Sequence, residues 1–125
     1  MNTHKSDNLL KSKINELITR IEKLHVNDPD TIHYYSKIKD LLLDNERETI
    51  SLLQTCDNKN MISHVVAFFE NVADKFPSKE LLHIFESLAK KYSSDKILIY
   101  NLNIAIDELR YCLKNGSVSD MLFKE

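Results

Sequence analysis

Glycine and proline are nearly missing from this chain of 125 residues: Gly116 stands alone, and Pro29 and Pro77 are the only prolines. Sheet proteins draw on Gly, Asn-Gly and Pro for their turns, whereas long helices need neither. The scarcity therefore argues against a β architecture. A single glycine also excludes a Gly-rich phosphate-binding loop. The two cysteines, Cys56 and Cys112, are far apart and form no CxxC pair, which fits a reducing compartment better than a disulfide scaffold. HExxH and GxSxG motifs are missing too. No stretch reaches the roughly 18 apolar residues of a membrane span, and the segment Met1 to Asn8 is polar, without the apolar centre of a signal peptide. These absences lead to the expectation of a cytoplasmic protein that does not enter a membrane.

The formal net charge is −2, too little positive charge for nucleic acid to be the expected partner. Its distribution is uneven. Residues 40–74 hold seven acids against two bases, while the remainder is net basic. A local acidic surface suits a basic protein partner.

With 42% hydrophobic and 29% charged residues, the composition is that of a globular domain. At this length one domain is expected, residues 1–116, followed by a loosely held tail at 117–125. Apolar spacing predicts about six helices. The first runs from about Asn8 to His25, with Leu10, Ile14, Leu17, Ile18, Ile21 and Leu24 on one side and Ser6, Asp7 or Asn8 as its cap. Asp30 caps the second, which carries Ile32, Tyr35, Ile38, Leu41 and Leu42. The third starts at Asp44 or Asn45 and ends near Cys56. The fourth, about Asn58 to Phe76, has apolar residues on two sides and so should be central. Pro77 stops it and Ser78 caps the fifth, built on Leu81, Phe85, Leu88 and Tyr92. The sixth carries Leu98, Leu102, Ala105, Ile106, Leu109 and Leu113 and stops at Gly116. Ile97-Leu98-Ile99-Tyr100 could be a strand, but a lone strand would have no partner, so helix is preferred. Short loops make consecutive helices antiparallel. The expected fold is all-α, with about six antiparallel helices as stacked hairpins, arranged either as a short HEAT-like solenoid or as a compact bundle.

Chemistry is harder to find. Glu22/His25 and Glu80/His83 are Glu-x-x-His pairs, the kernel of a di-iron carboxylate site. Such a site needs inward-facing ligands and a Glu from each of two further helices, and here both glutamates flank the apolar stripes. Cys56 with His64 eight residues on could be a nucleophile and base, but no oxyanion donors or orienting acid can be named beside them. Cys112 belongs to the inner face of the last helix. The expectation is a protein that is not an enzyme, with no catalytic residue, metal or cofactor. The best functional lead is acidic: Asp44, Glu46 and Glu48 at the start of the third helix, Asp57 in the next loop, and the like-charged pair Glu70 and Asp74 on the fourth.

Leu52-Leu53-Gln54-Thr55-Cys56-Asp57, Ile62-Ser63, Phe69-Glu70-Asn71-Val72, Phe76-Pro77-Ser78-Lys79-Glu80-Leu81 and Leu88-Ala89-Lys90-Lys91-Tyr92 together resemble small helical, HEAT-like bacterial immunity proteins of polymorphic and contact-dependent toxin systems. The likeness covers about residues 40–110. It implies a cytoplasmic inhibitor that binds one cognate toxin domain, often a nuclease, and blocks its active site. Under this resemblance the six acids would face the toxin. The competing expectations are a non-catalytic helical adaptor or chaperone and a metal-binding helical bundle.

Overall fold

A computed structural model describes the backbone from residue 2 to residue 115 and the side chains from residue 9 to residue 115. The proposed caps Ser6, Asp7 and Asn8, the proposed stop Gly116 and the tail 117–125 lie outside the residues whose side chains are described. Among the described residues the protein is all-α, with seven α-helices, one short 3-10 turn and no strand. The helices are α1 (Asn2–Glu22), α2 (Asp30–Leu42), α3 (Glu46–Thr55), α4 (Lys59–Val65), α5 (Phe69–Lys75), α6 (Lys79–Lys91) and α7 (Lys96–Asn115), with the 3-10 turn Val66–Phe68 between α4 and α5. The chain divides into two compact units, Met1–Val65 and Val66–Glu125.

In the first unit α1 is the hub, packing against α2, α3 and α4. Its core stripe is Leu10, Ile14, Ile18 and Ile21, at the 3-4 spacing of one helix face. Ile38 and Leu42 of α2 are fully buried, while Ile32, expected on the apolar side, is 77% exposed. Asp30 is the first residue of α2 rather than its cap; its N–H donates to the Asp28 carboxylate at 2.9 Å. Asn45 caps α3, accepting the Glu48 N–H at 3.0 Å. Among the described residues one polar side chain, that of Thr49, is buried in this core. Thr49 is 0% exposed and its hydroxyl donates to the Leu42 carbonyl at 2.6 Å, tying α3 to the end of α2.

In the second unit α7 is the hub, packing against α5, α6 and the 3-10 turn. Leu98, Leu102, Ala105, Ile106, Leu109 and Cys112 form its buried face, and the Ile97–Tyr100 stretch is helical. Phe69 of α5 and Phe85 of α6, both 0% exposed, stack with ring centroids 4.9 Å apart and planes 8° from parallel. Ser78 caps α6, its Oγ accepting the Leu81 N–H at 3.0 Å. Asp95 does the same at the start of α7, accepting from Leu98 N–H at 3.1 Å.

The expected fourth helix is two helices. Of its apolar residues Met61, Ile62, Val65, Val66, Phe69 and Val72 are buried, whereas Phe68 and Phe76 are only half-buried. The continuous helix is interrupted at Val66–Phe68, and its two halves belong to different units.

Candidate functional site

A groove of about 630 Å³ runs along α1 and α2 in the first unit. Lys13, Glu16, Leu17 and Arg20 line it from α1, and Tyr34, Lys37, Asp40 and Leu41 from α2. Its walls carry both charge signs over a leucine floor. Asp44 lies at its end, and a smaller adjoining hollow of about 210 Å³ brings Asp44, Asn45 and Glu48 together with Lys13 and Leu9. Leu9 is 54% exposed.

The acidic residues expected at a partner surface separate into three places. Asp44 and Glu46 are exposed and Glu48 is half-buried, all at the α2–α3 junction. Among the described residues none of these three makes an ion pair. Asp57 is exposed beyond the other end of α3, a helix about 15 Å long. Glu70 and Asp74 lie on α5 in the second unit; Glu70 is exposed, whereas Asp74 is half-buried and its carboxylate lies 3.9 Å from the Cys112 thiol.

A polar chain that sequence reasoning did not assemble ties the first unit together. His64 Nε2 lies 3.1 Å from Glu22 Oε2, and the Tyr35 hydroxyl lies 2.8 Å from His64 Nδ1. A carboxylate only accepts, so a neutral His64 donates from Nε2 and accepts the Tyr35 proton on Nδ1. Asn60 Nδ2 donates to the same Glu22 oxygen at 2.9 Å. The Asn60 hydrogen bond first, then that of His64, holds the Glu22 carboxyl below its ordinary range. Burial first, then the nearby Glu22 charge, pushes the Tyr35 hydroxyl up. Tyr35 therefore stays protonated at neutral pH and offers no phenolate nucleophile. The chain of bonds fastens the end of α1 to α2 and α4. Sequence spacing pairs Glu22 with His25 and His64 with Cys56, whereas the structure pairs Glu22 with His64. Tyr35 and Asn60 carried no sequence signal, because 29 and 38 residues separate them from His64 and Glu22.

The other candidates are dispersed. His25 is exposed in the loop after α1, and Glu80 and His83 are exposed on α6. Cys56 is 4% exposed, with its sulfur 3.7 Å from that of Met61. Cys112, expected simply as core, is 3% exposed but faces two carboxylates, Asp74 and Glu108 at 3.6 Å. Burial, then Glu108 and Asp74, pushes its thiol up to about 11. That is the reverse of what activates a cysteine nucleophile. Among the described residues, no helix is long and apolar enough to cross a membrane. No protein-family model, curated protein or solved structure matches the chain.

Proposed function

We propose that this protein is an immunity protein, which binds a cognate bacterial toxin domain in the cytoplasm and covers its active site. The observation that carries this is the Asp44, Glu46 and Glu48 group. Asp44 lines the end of the α1–α2 groove, Glu48 lines the adjoining hollow and Glu46 is exposed at the start of α3, with no ion pair to any of them among the described residues. Like charges with no ion pair to offset them repel one another, and a basic partner surface relieves that repulsion. The same charge accelerates capture by steering. A helical scaffold presents the acids on a preformed surface, so little ordering entropy is lost on binding. A nuclease, whose cleft must be basic to hold phosphate, is the toxin class that this surface fits best. The protein needs no cofactor for this role.

Glu70 and Asp57 remain candidates for contact, since both are exposed. Asp74 is a weaker one, because its carboxylate is turned toward Cys112. The test is protection. Cells producing the toxin should grow when they carry this chain and should lose protection with Asp44→Lys/Glu46→Lys/Glu48→Lys, while the circular dichroism of the variant stays helical. Full protection by that folded variant would refute the acidic surface.

One further observation favours an adaptor as the second reading. Ile97, Tyr100, Ile104 and Tyr111 are 78%, 69%, 38% and 42% exposed on α7. Ile97, Ile104 and Tyr111 recur at heptad spacing, which suits a helical client better than an enzyme cleft. Binding of unfolded or peptide segments, in place of one folded domain, would mark that role.

A further inference from the structure

Cys112 and its two acidic neighbours make a set of donors that packing alone does not require. Glu108 and Cys112 are i and i+4 on α7, so both reach the same side of that helix. Asp74 comes from α5, which packs on α7. One oxygen of each carboxylate and the Cys112 sulfur lie within 4.8 Å of one another. The sulfur is buried and the carboxylates are half-buried.

The spacing leaves room for a shared metal ion. A tetrahedral zinc ion holds sulfur at about 2.3 Å and carboxylate oxygen at about 2.1 Å, which places the two donors about 3.6 Å apart. The sulfur lies 3.6 Å from Glu108 Oε2 and 3.9 Å from Asp74 Oδ1. A thiol has one proton, so it can donate to only one of the two carboxylates. At the other oxygen a sulfur lone pair faces a carboxylate, and a cation between them would attract both. Thiolate with carboxylate is a borderline-soft donor set, suited to zinc over magnesium or calcium.

We propose that Asp74, Glu108 and Cys112 bind one zinc ion, with its fourth position open to water or to a partner's side chain. On binding, the Cys112 S–H bond breaks, a sulfur–zinc bond forms, and the proton leaves to solvent. The site joins α5 to α7 within the second unit. It shares no residue with the Glu-x-x-His pairs or with the Asp44, Glu46 and Glu48 group that carries the proposed function, and goes beyond both.

Cobalt(II) is the probe, since its bond to a thiolate gives a near-ultraviolet charge-transfer band that histidine or carboxylate ligation does not. The full chain, stripped with chelator and reduced, is titrated with cobalt(II) and then with zinc. The expected result is one cobalt per chain with the thiolate band, displaced by zinc, lost in Cys112→Ser and kept in Cys56→Ser. Because a buried substitution can disturb folding, Glu108→Gln is measured alongside and should weaken cobalt binding at least tenfold with the helical spectrum unchanged. No thiolate band in the wild-type chain, a band that survives Cys112→Ser, or unchanged affinity in folded Glu108→Gln would each overturn the proposal.

Discussion

Replacing Phe69 with alanine should be among the most damaging single changes in the second unit. The ring is 0% exposed and stacks on Phe85 with centroids 4.9 Å apart. The substitution removes the transfer free energy of a buried ring and leaves a hole lined by α6 and α7, at a cost of about 3–5 kcal/mol. Whole domains are stable by only about 5–15 kcal/mol, so this is a large share. It corresponds to a drop in melting temperature of about 10 °C or more. Urea unfolding followed by circular dichroism gives the free energy, and a thermal melt gives the temperature. Phe69→Leu keeps an apolar side chain but loses the stack, and should fall between wild type and alanine. In a double-mutant cycle with Phe85→Ala, the two losses should fail to add by about 0.5–1.5 kcal/mol, the worth of an aromatic pair. A loss below about 1 kcal/mol for Phe69→Ala, the range of ordinary substitutions, would refute the placement of Phe69 at the centre of this core.

Two further outcomes follow from the first unit. Thr49→Val keeps the shape of the side chain but removes the donor from the buried Leu42 carbonyl, and should cost about 1–3 kcal/mol by urea unfolding, whereas Thr49→Ser should retain the bond. The carboxyl of Glu22, followed by carbon-13 NMR, should titrate below its ordinary 4.5 and move back upward more in Asn60→Ala than in His64→Ala, since Asn60 is the larger cause. Because the folded value is the lower one, the stability contributed by Glu22 is present above the ordinary carboxylate range and disappears as pH falls through the folded value; Glu22→Gln should abolish that dependence.

Periodicity in the sequence located the helices because most of their buried faces follow 3-4 spacing, with Ile32 and Leu113 as exposed exceptions. Ser78 caps α6 as expected, and of the alternatives Asp44 and Asn45 it is Asn45 that caps α3, whereas Asp30 lies inside α2. The break at Val66–Phe68 was hidden, because helix ends are read from Gly, Pro and polar caps and this stretch is Val65-Val66-Ala67-Phe68-Phe69. Apolar residues on two sides of that segment suggested one central helix, yet the hubs are α1 and α7, each pairing with several shorter neighbours. The acidic group at Asp44, Glu46 and Glu48 was legible because those residues are close in sequence. The Tyr35–His64–Glu22 chain and the Asp74–Glu108–Cys112 cluster were not, since they depend on which helix faces meet, and no local pattern reports that. Ile32 illustrates the converse: it keeps helical spacing and still faces solvent.

The central claim is that this protein captures one folded toxin domain. The most direct measurement is purification of the tagged chain from its native cell, mass spectrometry of what accompanies it, and assay of the companion with and without the chain. The account predicts one folded, basic enzyme domain in a one-to-one complex, inactive when bound and active once released. A mixture of unfolded clients, or a companion whose activity is the same bound and free, would contradict it.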